Sequence, residues 1–276
     1  LPGDYLERLE AIVGAKHLRT RPGDIWAFGT DNSRRHAAPG VLVEPDSHEQ
    51  VAAVVRACHD YGVPLVARGH GTCTTGAAVP AEGGLVLSLD RLNRVRRVDP
   101  DNRLMVVEPG ATNAQVQHAA AEHGFFWPPD PTSAAVCTVG GNLACNSAGP
   151  RAVKYGTPRE NVLGLRAVTG TGESLRAGTQ TTKGVVGYDL TRLLIGSEGT
   201  LGVITEATLK LTPAPEARRT LRAFYTDMNA AAVAVARIMA QPVTPCALEF
   251  IDGRAIEMIR RYSRTDLPRD AGSLLM

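Results

Sequence analysis

The sequence predicts an α+β chain: two small α/β units in series, then the opening of a further α+β unit. Three observations carry that reading. Two helices are announced by one capping device, and each is followed by a strand or a proline-rich turn. A glycine-rich segment lies between two short apolar strands, where a Rossmann crossover would instead lead into a helix. The proline pair Pro213 and Pro215 separates an alternating strand from a new β-α-β-α-β succession.

Ser47 and Gln50 stand at capping-box spacing, and the run to Tyr61 sets Val51, Val54, Val55 and Cys58 on one helical face. Gly62 supplies a left-handed stop and Pro64 blocks continuation. Val63 to Ala67 reads as a short buried strand, apolar and rich in β-branched residues. The segment RGHGTCTTGAAVP, Arg68 to Pro80, follows, with glycines at 69, 71 and 76 among Thr72, Thr74 and Thr75. Such a segment can expose successive backbone N–H groups and admit a diphosphate without Cβ interference. Gly83 and Gly84 then precede a second apolar strand, Leu85 to Leu89. The order is strand, loop, strand.

Arg94 to Asp99 and Arg103 to Glu108 flank Pro100, Asp101 and Asn102, a hairpin signal. Thr112 with Gln115 repeats the capping device, with Val116, Ala119 and Ala120 facing inward and Gly124 at the stop. A second hairpin joins Leu163–Thr169 to Glu173–Ala177 across Gly170-Thr171-Gly172. Leu201 to Leu211 alternates through Ala207, Leu209 and Leu211. Beyond the prolines, Thr220–Tyr225 reads as strand, Asp227 caps a helix to Ala240, Ala247–Ile251 reads as strand, and Ala255–Tyr262 as helix. Leu274-Leu275-Met276 reads as the start of a strand and residue 1 is not Met, so a piece of a longer protein is expected.

Composition narrows the function. A net charge of +2, from 30 basic and 28 acidic residues, gives no electrostatic case for nucleic acid or a membrane surface. No apolar run approaches the ~20 residues of a membrane span, and Leu1 to Glu10 lack a signal-peptide pattern. The cysteines at 58, 73, 137, 145 and 246 form no C-x-x-C pair, so neither a disulfide framework nor structural zinc is expected. A reducing cytoplasm is the expected location. His118 and His123 do not share a helical face, which argues against a metal pair. Gly178–Gly184 lacks the second glycine and the hydroxyl residue of a P-loop and reads as an exposed loop. Arg91, Arg94, Arg96 and Arg97 read as a solvated hairpin face. Trp127 reads as packing, and Cys137 and Cys145 as small residues of the glycine-rich segment around them.

Two more glycine-rich segments join the first. TVGGNLACNSAG, Thr138 to Gly149, follows the turn-rich PPDPTS, and its small Gly140, Gly141, Ala144, Ser147 and Ala148 would let a flat or charged ligand lie on the backbone. GSEGTLG, Gly196 to Gly202, feeds Val203-Ile204-Thr205. The ordered set RGHGTCTTGAAVP, PPDPTSAAVCTVGGNLACNSAGP, KYG and GYDLTRLLIGSEGTLGVITEATLKL resembles the FAD-linked oxidases of the vanillyl-alcohol oxidase superfamily. Within it, the chain is most similar to the group that joins glycolate oxidase with D-lactate dehydrogenase. The resemblance is dense from Pro39 to Pro213, and Pro215 to Met276 resembles the start of that family's cap domain.

The resemblance implies an α+β fold: a two-subdomain PCMH-type FAD-binding domain followed by the start of a ferredoxin-like cap. It implies an N-terminal helical segment (1–38), FAD-binding subdomains over 39–110 and 111–213, and a cap from 214 to 276. Arg68, Gly69, His70, Gly71 and Thr72, with Gly76, would hold the FAD diphosphate. Thr132, Ser133, Thr138, Gly140, Gly141 and Asn142 would line the flavin and ribityl side. Ala144, Ser147, Tyr155 and Gly156 match positions beside the cofactor, and Glu198, Gly199, Val203 and Ile204 fall where the last loop and strand meet the dinucleotide. His70 and Cys73 depart from the small residues usual there. The linking histidine of covalent relatives aligns nearer Thr72, so noncovalent FAD is expected.

The implied reaction is oxidation of a small 2-hydroxy acid, of the glycolate or D-lactate type, to the 2-oxo acid. A cytochrome, quinone or partner flavoprotein would take the electrons, and no nucleic acid partner is expected. The base and any divalent metal would belong to the later part of the family's length, so this segment is expected to bind FAD and to turn over poorly. An oligomer or complex subunit is implied, cytoplasmic or held at the inner face of a membrane through a partner. Two other readings stand beside it: an FAD-binding electron-transfer or accessory subunit of a multi-subunit glycolate oxidase, and a nucleotide-binding regulatory module without redox chemistry.

Overall fold

A computed structural model describes residues 1–80 and 83–276. The amphipathic N-terminal run forms α1 (Gly3–Val13), burying Tyr5, Leu9 and Val13 on one face. β1 (Leu18–Arg19), α2 (Pro22–Ile25), β2 (Val41–Val43), α3 (His48–Tyr61), β3 (Leu65–Arg68) and β4 (Leu85–Ser88) follow. Ser47 caps α3 by accepting from Gln50 N at 3.2 Å, and Gly62 closes it at φ +64°. The Gln50 side chain accepts from Asp46 N, one residue before the capping-box position. β4 runs parallel to both β2 and β3 in the order β1-β2-β4-β3 and is buried along its whole length, which is why its sequence does not alternate. Residues 1–38, expected as a separate helical segment, add an edge strand and a helix to this unit. Leu18 pairs with Val43, and the Tyr5 hydroxyl and Cys58 thiol share a 3.2 Å hydrogen bond between α1 and α3.

The second unit holds β5 (Val95–Asp99), β6 (Leu104–Val107), α4 (Asn113–Ala121), β7 (Phe125–Phe126), α5 (Val139–Cys145), α6 (Ala152–Tyr155), β8 (Val162–Val168), β9 (Ser174–Gly178), α7 (Leu190–Leu194), β10 (Val203–Lys210) and β11 (Thr212–Pro213). Its main sheet has the order β5-β6-β10-β8-β9, antiparallel throughout. Both expected hairpins form. The β5–β6 hairpin belongs to this second sheet, because β6 pairs with β10 through Val107 and Ala207. The chain therefore crosses between units after Leu92, ahead of the residue-110 boundary expected from the sequence. Trp127 sits fully buried in the second core, its Nε1 donating to the Asn161 carbonyl at 3.0 Å.

Two local readings change. The segment from Val139 to Cys145, expected as an open glycine loop, is the helix α5, capped by Thr138 accepting from Gly141 N. Gly140 belongs there because a Cβ would stand 2.6 Å from Pro109 Cβ. The arginine hairpin is more than a solvated face. Glu108 is fully buried, and both Arg94 (3.0 Å) and Arg96 (2.6 Å) clamp its carboxylate. Burial opposes its ionisation, yet the hydrogen bonds from Arg94 and Arg96 hold its pKa below the ordinary value.

The third unit comprises β12 (Ala223–Tyr225), α8 (Met228–Met239), β13 (Phe250–Asp252), α9 (Gly253–Tyr262) and β14 (Ser273–Leu275). Asp227 and Asp252 cap its helices. β14 lies between β12 and β13, antiparallel to each. Its core is small: Ile256, Leu267, Ala271 and Leu274. No described helix is long and apolar enough to cross a membrane.

The first two units pack side by side, with Val168 and Val203 of the second contributing to the core of the first. His48, at the start of α3, pins them together. Thr205 Oγ1 donates to the Arg166 carbonyl, so it accepts from His48 Nδ1 at 2.7 Å, and Ser174 then donates to Nε2 at 2.9 Å. Burial, with the nearby Arg166 charge, pushes the His48 pKa down and keeps the ring neutral.

Candidate functional site

The three glycine-rich segments meet along one cleft between the two sheets. The first leaves β3 and enters it at Gly69, whose close approach to Thr138 leaves no room for a side chain. His70 Nδ1 hydrogen-bonds the Val136 carbonyl and so ties the first segment to the second. The third segment is stitched to the end of α5 by backbone bonds from Gly196 N to Leu143 O and from Glu198 N to Ala144 O, each 2.9 Å. Thr75 donates to Glu198 Oε1 at 3.3 Å, which links the third segment back to the first. Glu198 and Gly199 both take left-handed backbone, φ +53° and +81°, to make that turn. The loops hold one another.

Among the candidate residues, Arg68, Gly69, His70, Gly71, Thr72, Ser133, Thr138, Gly140, Gly141, Asn142, Ala144, Ser147, Glu198, Gly199, Val203 and Ile204 line this cleft. Gly76, Thr132, Tyr155 and Gly156 do not line it. Tyr155 meets Phe126 edge-on at 5.3 Å, and Gly156 abuts the Glu160 side chain, so both serve packing beside the cleft. Gly76 turns the first loop at φ +90°, against Arg35. Arg68 lines the cleft, but its guanidinium is committed. It lies against Gly71, donates to the Thr30 carbonyl at 2.7 Å and stacks over Phe28. It braces the loop.

Sequence reasoning missed several lining positions. Ser197 and Gly202 lie inside the third motif and differ from the chosen residues only in register. Pro109 and Leu89 come from strand ends brought close by the fold, and no local signal marks them. Cys73 and Cys145 also face the cleft, and burial pushes the Cys145 thiol up to about 12, where it is protonated at neutral pH. Asp90, near His70 Nε2 at 3.6 Å, has its pKa raised by burial.

The lining suits a long ligand carrying phosphates. Several glycines line it, and Asn142 Nδ2 is buried without a hydrogen-bond partner, a donor left for a ligand atom. Among the described residues, no group of three or more histidine, cysteine, aspartate or glutamate side chains is arranged to hold a metal ion.

Residues 39–178 match the family model for the FAD binding domain, and residues 214–276 match the C-terminal domain of FAD linked oxidases. The chain is 40% identical over 274 residues to the glycolate oxidase subunit GlcD of Bacillus subtilis, covering 99% of this chain and 58% of that protein. It is 41% identical over 245 residues to a D-lactate dehydrogenase of Archaeoglobus fulgidus, covering 88% and 55%. To a D-2-hydroxyglutarate dehydrogenase of Xanthomonas citri pv. viticola it is 38% identical over 252 residues, covering 91% and 53%. The chain thus spans about half the length of the curated relatives it matches. Among solved structures, an alkyldihydroxyacetonephosphate synthase superposes with a TM-score of 0.85 at 24% identity, over all of this chain and 56% of that one, a likeness of fold. With the family models matched in order along an α+β fold of this architecture, the chain belongs to the FAD-linked oxidases, and FAD is its cofactor.

Proposed function

We propose that this chain is the FAD-holding part of a flavoenzyme that oxidises a small 2-hydroxy acid, of the glycolate or D-lactate type, to the 2-oxo acid. The observation that carries this reading is the convergence of three glycine-rich segments on one cleft with an unpaired Asn142 amide inside it. In this reading residues 1–92 and 93–213 form the two lobes and 214–276 begins the cap. Gly69, His70, Gly71 and Thr72 offer main-chain N–H groups to the diphosphate, with Arg68 and Gly76 shaping their loop. Thr138, Gly140, Gly141, Asn142 and Ser133 line the flavin and ribityl side, and Glu198, Gly199, Val203 and Ile204 the remainder. FAD supplies the hydride acceptor for the substrate's α-carbon hydrogen.

The chain's own residues bind and orient. Backbone donors and the α5 amide hydrogen-bond their ligand without adding a large charge, which suits a nearly neutral protein. Leu89, Pro109, Val203 and Ile204 supply apolar wall and exclude water from it. The curated relatives named above share 2-hydroxy acids in their names, and that shared chemistry supports the substrate class proposed. The base that takes the hydroxyl proton, and any metal, are assigned to the part of the relatives' length that this chain does not span. Reoxidation falls to a cytochrome, quinone or partner flavoprotein in a cytoplasmic complex, with the link to FAD noncovalent.

The test is a panel of D- and L-2-hydroxy acids mixed with the full-length flavoprotein while flavin absorbance is followed. Anaerobic bleaching by glycolate or D-lactate is the expected result. A flavin that every 2-hydroxy acid leaves oxidised, while dithionite bleaches it, would overturn the substrate assignment.

A further inference from the structure

The outer face of the five-stranded sheet carries a second concave site that shares no lining residue with the cofactor cleft. Along β8, Leu165 and Ala167 enter the core, so Gly164 and Arg166 face outward. Gly164 pairs directly with Gly178 on β9, and Arg166 with Arg176 in the next row. The paired glycines leave a floor without side chains. It is a fixed floor, because a Cβ on Gly164 would stand 2.8 Å from the Ala177 carbonyl oxygen, and Gly178 holds φ +84°. The result is a depression of about 300 Å³.

Its walls are cationic. Arg96, Arg97, Arg166 and Arg176 line it against one carboxylate, Glu206. Arg96 is occupied by Glu108. Arg166 reaches Glu49 through Nη2 at 3.1 Å, while its buried Nε has no partner. Arg97 comes only within 3.9 Å of Asp99 and donates to Gln180 Oε1 at 3.4 Å, and among the described residues Arg176 makes no ion pair. Like charges facing across neighbouring strands repel, and Glu49 offsets only the Arg166 side of this pair, leaving Arg176 uncompensated. Arginine forks match carboxylate and phosphate oxygens with two parallel bonds.

We propose that this basin binds a small anion bearing two or more carboxylate or phosphate groups, at a site separate from the redox cleft. A depression of this size sits at the lower end of small-ligand pockets, roughly 300 Å³ and upward. Its occupant would add charge-assisted bonds from Arg97, Arg176 and the free Nε of Arg166. Added salt would weaken it by screening.

The experiment is calorimetric titration of the FAD-loaded protein at low ionic strength with citrate and, separately, inorganic pyrophosphate, which distinguishes a carboxylate from a phosphate source. Saturable binding of one or both at one site per chain is expected. Arg97→Gln and Arg176→Gln, both at exposed positions, should each weaken it on the order of tenfold while FAD affinity stays unchanged. No saturable binding of either anion, or equal binding by the Arg97→Gln/Arg176→Gln double variant, would overturn the proposal. Binding of polyglutamate alone would make the face a protein-docking surface and overturn it equally.

Discussion

In residues 1–213 the long helices and strands turn apolar faces into two sizeable cores, whereas in residues 214–276 helix α8 buries a single alanine, Ala231. Met228, Val233, Val243, Met258 and Tyr262 all stand more than half exposed there. Both regions have capped helices and paired strands. What separates them is burial, and apolar burial rather than capping supplies most of the free energy of folding. Within this 276-residue chain, residues 1–213 should therefore unfold as a cooperative block and residues 214–276 should open first.

The largest expected effect comes from removing an anchor of the block. Trp127→Ala deletes the largest fully buried side chain and the bond to Asn161, and should cost about 3–5 kcal/mol by urea unfolding. FAD binding should fall with it. Ile256→Ala sharpens the contrast. The same kind of deletion in the small third core should open residues 214–276 to protease while FAD affinity stays within about twofold of wild type. Equal loss of FAD binding in the two variants would erase the distinction.

Charge buried between elements gives smaller, pH-dependent effects. Glu108→Gln should cost about 1–3 kcal/mol, because the clamp from Arg94 and Arg96 loses its anion. With the folded pKa below the ordinary 4.5, the clamp stabilises fully above that value and is lost as pH falls through the folded pKa. The variant should lack that part of the acid transition in unfolding titrations. His48 works with the same slope from a different cause. Its folded pKa lies below the ordinary 6.5, so the unfolded chain binds the proton more readily and stability declines as pH drops below about 6.5. His48→Leu should cost about 1 kcal/mol at pH 7.5 and flatten that decline below about pH 6.5.

The parts legible in the sequence were those written in local chemistry. Ser47, Thr112 and Asp227 announce their helices because a capping hydroxyl or carboxylate acts within three residues. The hairpin turns and the strand–loop–strand order around Arg68–Pro80 were local too. Helix α5 was hidden because Gly140 and Gly141 lower helix propensity, and only the distant Pro109 explains why glycine is required. The crossing point after Leu92 was hidden because pairing between β6 and β10 joins residues a hundred positions apart. Glu108 ends the hairpin whose arginines read as a solvated face, and nothing local tells that its side chain turns inward. At the cleft, the glycine motifs marked most lining positions, but the bracing of Arg68 against Thr30 and Phe28 depends on a segment nearly forty residues upstream.

The central claim is that three separated segments form one FAD cradle, and amide hydrogen exchange with and without FAD tests it most directly. Exchange should slow together in residues 68–76, 133–147 and 196–204 when the flavin binds. Protection confined to one of these segments, with FAD bound, would contradict the account.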